Sequence, residues 1–151
     1  MNKPLVGVRI LDLTHMLAGP YAGMILADLG AETIKVEPLA GEGTRKLLAS
    51  DPENSLDGMG AYYLTLNRNK KSVAIDLKSD SGMAVFSRLV EASDIVLSNF
   101  AAGVPQRLGI DFDTLSQVNP RIITCTVTGY GSDGPGANRP AFDQVAQASG
   151  G

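Results

Sequence analysis

Two strand-like runs joined through a short helix-like run, with little slack between them, constrain this chain more than any other feature. Val8 to Thr14 (VRILDLT) is an alternating run, β-branched and aliphatic, and reads as a strand. Gly19-Pro20 follows, and Pro20 suits the first turn of a helix, where a missing N–H costs nothing. Tyr21 to Leu29 (YAGMILADL) reads as that helix, and Gly30 is the residue type that ends one. Thr33 to Glu37 (TIKVE) is a second strand. Strand, helix and strand joined by short loops predict a right-handed βαβ unit.

The alternation continues along the chain. Pro38 to Gly60 holds glycines, Pro52 and mixed charges without a clear period, which predicts an irregular excursion with a short helix around Lys46. Ser72 to Leu77 (SVAIDL) is a strand. Ser79 or Asp80 can cap the helix after it, in which Met83, Phe86, Leu89 and Val90 share one face. Asp94 to Ser98 is a strand, Asp111 to Val118 a short capped helix, and Ile122 to Val127 a strand. Gly129 to Pro140 contains four glycines and two prolines, and a last helix is predicted to begin near Ala141. The expected fold is α/β, a Rossmann-like, doubly wound and mostly parallel sheet. The final Ser149-Gly150-Gly151 reads as a turn leading onward, so the chain is expected to be part of a longer protein.

Composition enters as a set of exclusions. The 151 residues suit one α/β domain and are few for a two-domain enzyme. A net charge of -3 argues against nucleic acid as a partner, while leaving room for a small anion at a local basic cluster. Cys125 is the only cysteine, which rules out an internal disulfide and fits a reducing compartment. No apolar run reaches bilayer length and the first residues show no signal pattern, so a soluble, cytoplasmic protein is expected.

Five blocks in a fixed order narrow the reading further. They are GVRILDLTHMLAGPYAGMILADLGAETIKVEP (Gly7 to Pro38), NRNKKSVAIDLK (Asn67 to Lys78), SNFAAGVPQRLGID (Ser98 to Asp111), NPRIITCTVTGYG (Asn119 to Gly131) and FDQVAQASGG (Phe142 to Gly151). Together they resemble the opening of family III CoA-transferases, the CaiB–BaiF type, which includes formyl-CoA and carnitine-CoA transferases and the related α-methylacyl-CoA racemases. Members are much longer, so the resemblance covers only the first part of such an enzyme. It implies a CoA-binding α/β domain, acyl-CoA and a carboxylic acid as substrates, no metal, and an interlocked homodimer.

Coenzyme A is a long anion whose site needs cations or helix N-termini for phosphates, an apolar surface for adenine and a channel for its arm. Arg107 lies just past the strand Asp94 to Ser98, in the region where open α/β sheets bind ligands, and the resemblance implies that it contacts CoA. Asn99 and Phe100 end that strand and, on the same resemblance, lie beside CoA. The resemblance also makes Leu77 and Lys78 an adenine- and phosphate-contacting pair at the end of the third strand. Lys70 and Lys71, in the same block, could be simple solvated charges. His15, Met16 and Leu17 occupy the loop after the first strand, and the resemblance puts that loop near the thioester, without assigning His15 a proton transfer. Asp143 opens the last helix, where an aspartate is ordinarily a cap. The resemblance makes it an auxiliary active-site acid.

The family's nucleophile is an aspartate in a Gly-Asp segment, expected beyond Gly151. It attacks the acyl-CoA thioester to form an anhydride and then an enzyme–CoA thioester. No catalytic residue of that kind is assigned within this chain. The racemases have His-Asp where this sequence has Phe142-Asp143, which favours transfer over α-proton exchange. Cys125, inside an apolar strand without a nearby base, is expected in the core. A dinucleotide-binding domain is the rival fold-level reading, with Glu37 as its ribose acid. Leu17-Ala18-Gly19-Pro20-Tyr21-Ala22-Gly23 lacks the glycine spacing for it. A non-catalytic CoA-binding fragment is the rival from another class.

Overall fold

A computed structural model describes residues 3–150. Strands β1 (Arg9–Asp12), β2 (Glu32–Glu37), β5 (Lys70–Ala74), β6 (Ile95–Ser98) and β7 (Ile123–Thr126) form one all-parallel sheet in the order β5-β2-β1-β6-β7. Helix α1 (Ala18–Asp28) covers one face, together with α2 (Ala61–Leu66). Helices α3 (Asp80–Glu91) and α5 (Phe112–Val118) cover the other. The short α4 (Val104–Leu108) follows β6, and α6 (Asp143–Gly150) ends the described chain. The doubly wound parallel sheet expected from the alternation is therefore present.

Local chemistry accounts for most of the boundaries. Gly30 adopts φ +106 immediately after α1, a conformation that stops a helix at little cost to glycine. The Ser79 hydroxyl caps α3 by accepting from the Gly82 N–H at 3.1 Å, and the Asp111 carboxylate caps α5 through the Thr114 N–H at 3.2 Å. On α3, Phe86 and Val90 are fully buried, with Met83 and Leu89 packed beside them.

Five expectations need correction. The third long strand spans Lys70–Ala74, not Ser72 to Leu77, because the Asp76 carboxylate accepts from the Lys78 N–H and folds the chain into a turn. Leu77 and Lys78 therefore lie in the turn after the strand. The excursion from Pro38 to Gly60 contains a 3-10 turn at Gly43–Lys46, but also a hairpin of β3 (Ser55–Leu56) and β4 (Met59–Gly60). Asp57-Gly58, with both φ values positive, makes its tight turn. Helices α2 and α4 had no counterpart in the pattern: AYYLTL is rich in residues that favour strands, and Val104–Leu108 is too short for a period. Cys125 is exposed rather than buried, since β7 is an edge strand whose outward face also leaves Ile123 open. Helix α6 continues through Ser149 and Gly150 where a turn was expected, and Gly151 lies outside the described residues.

The two faces of the sheet differ in kind. Leu11, Leu13, Val36 and Val96 meet Phe86, Val90, Ile110 and Leu115 in an apolar core. On the opposite face Ile10 and Leu97 make a small apolar patch with Ala31 and Leu26. Beside it the register aligns Asp12 with Lys35 and Ser72, and Thr33 with Lys70. Asp12 and Lys35 are both fully buried. Lys70 Nζ is 2.8 Å from Asp12 Oδ2 and also donates to the Pro20 carbonyl and to Asn67 Oδ1. Glu37 accepts two hydrogen bonds from Arg45, at 2.6 and 2.7 Å, and others from Tyr63 and Ser72. Glycine lets α1 lie over these charges: a Cβ at Gly23 would stand 2.5 Å from Asp12 Oδ2, and one at Gly19 2.4 Å from Thr14 Cβ.

Candidate functional site

In the order β5-β2-β1-β6-β7 the chain runs outward from β1 to β2 and β5, then returns beside β1 to make β6 and β7. The carboxyl ends of β1 and β6 therefore flank the topological switch point, where an open α/β sheet leaves a crevice for ligands. His15 follows β1 and Asn99-Phe100 follow β6, and the structure brings them together. The Asn99 amide accepts from the His15 N–H at 2.9 Å and donates to the His15 carbonyl at 2.8 Å. The imidazole meets the Phe100 ring edge-on, with centroids 5.2 Å apart. The backbone clamp holds the His15–Leu17 lip at the switch point, and Met16 and Leu17 project into solvent.

Burial lowers the His15 pKa below its ordinary 6.5, and the Lys35 ammonium adds to the effect. His15 is thus a neutral imidazole at pH 7, able to donate or accept one hydrogen bond but not to act as a standing cation. Just beyond it α1 begins with no side-chain cap and no acid in its first turn.

The remaining sequence candidates surround this centre unevenly. Phe100 and Leu77 both pack against the large apolar core, which ties the turn after β5 to the strand end after β6. Lys78 and Arg107 are exposed and form no ion pair or side-chain hydrogen bond among the described residues, Arg107 from the last turn of α4. Leu17 is exposed. Asp143 opens α6 as expected, but its carboxylate accepts from Gln147, and no hydrogen bond or ion pair among the described residues joins it to the His15–Asn99 cluster. Lys71 is an exposed partner of Glu32. Lys70 corrects the expectation of a solvated charge: its ammonium is buried in the pair with Asp12. Among the described residues no three His, Cys, Asp or Glu side chains converge as a metal site, and no helix is long and apolar enough to cross a membrane.

Three residues behind the lip were missed as functional in the sequence: Asp12, Lys35 and Glu42. Asp12 and Lys35 left a signal, as charges in slots of otherwise aliphatic strands, whereas Glu42 lies in the loop after β2 and left none. Lys35 Nζ donates to the Thr14 carbonyl at 2.8 Å and lies 3.3 Å from Glu42 Oε2. Glu42 Oε1 accepts from the Met16 N–H at 3.0 Å. Glu37, the acid a dinucleotide site would need, is committed elsewhere. Burial raises its pKa, but hydrogen bonds from Arg45, Ser72 and the Glu42 amide outweigh that and hold it at about 2. A cleft of about 400 Å³ lined by Gly7, Arg9, Glu32 and Asp94 lies at the opposite, amino-terminal edge of the sheet. Its Arg9 and Glu32 are already paired with each other.

The family model described as CoA-transferase family III matches residues 5–151. The chain is 43% identical over 150 residues to the succinyl-CoA:glutarate CoA-transferase of Mus musculus, covering 99% of this chain and 34% of that protein. It is 40% identical over 149 residues to the acetyl-CoA:oxalate CoA-transferase of Acetobacter aceti, covering 98% of this chain and 37% of that protein. Among solved structures, a CAIB/BAIF family protein from Brucella suis matches with a TM-score of 0.91 at 37% identity, over 99% of this chain and 40% of that one. The chain spans about a third of the length of the curated relatives it matches.

Proposed function

The chain belongs to CoA-transferase family III, and on that premise we propose that the crevice between β1 and β6 is the thioester end of an acyl-CoA site. The observation that supports this best is the Asn99 clamp on the His15 backbone, which builds a defined lip at the switch point. Arg107, in α4 just past β6, and Lys78, in the turn after β5, are exposed cations, and they would meet the phosphates. Leu17 and Leu77 offer apolar surface for the arm and the adenine, and Phe100 closes the inner wall. The neutral His15 and the bare N-terminus of α1 face the thioester without adding a fixed charge.

The proposed reaction is transfer of CoA between an acyl-CoA and a carboxylic acid by the full-length protein. An enzyme carboxylate adds to the thioester carbonyl, the C–S bond breaks and CoA leaves as thiolate, giving a mixed anhydride. The thiolate then attacks the enzyme's own acyl carbon, releasing the donor acid and leaving an enzyme–CoA thioester for the acceptor acid. That carboxylate is proposed to lie outside these 151 residues, with Asp143 tuning the site. By itself this chain would bind CoA without transferring it. Phe142 has no proton to exchange where a racemase has an imidazole, so a racemase is the weaker reading. A cytoplasmic, interlocked homodimer completes the proposal.

Two measurements test it. Calorimetric titration of the full-length protein should show CoA binding, and Arg107→Ala should weaken it by about 1.5–3 kcal/mol, the range for hydrogen bonds to charged groups. Tight NAD binding with no CoA signal would sink the reading. Trapping turnover with hydroxylamine or borohydride, then mapping peptides by mass, should place the adduct outside this chain. An adduct on Asp143 overturns that part.

A further inference from the structure

The lip is held in an unusual way. Between β1 and α1, the Thr14 N–H donates to Asp12 Oδ1 and the Thr14 carbonyl accepts from Lys35 Nζ. Both polar backbone groups of His15 go to Asn99, and the Met16 N–H goes to Glu42 Oε1. Every one of these partners is a side chain, while backbone bonds hold the segment on either side, at the Leu13 N–H and the Leu17 carbonyl. Met16 stands at φ +67, which an L-residue rarely adopts unless its surroundings impose it.

Asn99 accounts for the middle of the turn. Its two ends are held by Lys35 and Glu42, which are themselves partners at 3.3 Å and almost wholly buried. Glu42 is anchored in turn: its own N–H donates to Glu37 Oε2 at 2.8 Å, within the cluster closed by Arg45 and Tyr63. A buried ion pair is a weak source of stability, because desolvation of two charges consumes most of their attraction. A pair that spends one proton on Thr14 and one oxygen on Met16, on either side of His15, has a geometric use instead.

We propose that Lys35 and Glu42 are positioning residues, a buried two-armed clamp that sets the conformation of the His15–Leu17 lip for acyl transfer. The catalytic consequence rests on the function proposed above, while the clamp itself does not. Lys35 fixes where β1 ends by holding the Thr14 carbonyl. Glu42 imposes the left-handed step at Met16 that turns Leu17 and the start of α1 toward the crevice. Neither side chain reaches the ligand, so the clamp should govern the rate of the chemical step more than CoA binding.

The test uses the full-length protein that contains this chain. The double variant Lys35→Met/Glu42→Leu removes both arms and leaves no unpaired buried charge, so it should fold and melt close to the parent. Amide exchange at Met16 should speed up at least about 10-fold in it, as expected of a lost hydrogen bond. Its kcat for CoA transfer should fall by about 10–100-fold, the scale of a small misplacement of reacting groups, while KM for acyl-CoA moves by less than about 3-fold. Glu42→Gln keeps an oxygen for the Met16 N–H but leaves the Lys35 ammonium buried without its anion, so it should melt below the double variant while Met16 exchange stays within about 3-fold of the parent. A double variant with parental kcat and parental Met16 exchange overturns the proposal. So does one that loses kcat only in proportion to lost folded protein. If the parent itself transfers no CoA, the functional reading fails, and Met16 exchange in the same variants still decides the clamp.

Discussion

The two faces of this sheet are built from the same strands and solve different problems. Under α3 and α5, side chains such as Leu11, Val36, Phe86 and Val90 are buried because water rejects them. Under α1 and α2, Asp12, Lys35, Glu37 and Lys70 are buried although water favours them, and each is matched by a specific partner. The apolar face supplies free energy without much direction. The charged face supplies direction at little net free energy, and its contacts end at the lip beside the crevice. The five strands of the described sheet thus divide their labour between its two faces.

That division can be broken experimentally. Phe86→Ala should destabilise by about 3–5 kcal/mol through lost burial and a residual cavity, read from chemical denaturation. Lys70→Ala should cost a similar amount, about 3–5 kcal/mol, because Asp12 would be left buried without its cation. The faces part company when both members are changed. Asp12→Leu/Lys70→Met should recover most of that loss, whereas Val90→Ala added to Phe86→Ala should deepen it. Equal behaviour of the two double variants would show that the faces do the same job.

Smaller effects sharpen the picture. Tyr63→Phe removes one of several donors to Glu37 and should cost about 1 kcal/mol. The smallest concerns pH. His15 has a folded pKa below 6.5, so the unfolded chain binds its proton more readily, and stability should fall as pH drops through 6.5. A titration of the His15 ring by NMR should give a midpoint below 6.5. A midpoint above it would mean that the nearby carboxylates outweigh burial and the Lys35 charge.

The apolar face was legible in the sequence and the charged face was not. Met83, Phe86, Leu89 and Val90 announce a helix stripe by spacing alone, and the capping roles of Ser79 and Asp111 follow from residue type. The parallel, doubly wound sheet needed only the alternation of elements, whereas its strand order did not follow from it. By contrast, nothing local tells Lys70, which is buried with Asp12, from Lys71, which lies in solvent, because the distinction depends on a partner 58 residues away. The placement of His15 against Asn99 is equally non-local. Leu77 and Lys78 slipped from strand to turn because an Asp76 hydrogen bond outweighs the aliphatic character of SVAIDL.

The side-chain scaffolding of the lip also has a hereditary meaning. A turn held by backbone is inherited as a contiguous stretch of gene. This one is encoded at separations of 2, 21, 26 and 84 residues, in Asp12, Lys35, Glu42 and Asn99. Mutations that reshape it can therefore arise in four scattered codons, each leaving the residues of the lip untouched. A selection for altered acid preference should return such distant changes, and suppressors of a defect at one of the four should cluster at the other three.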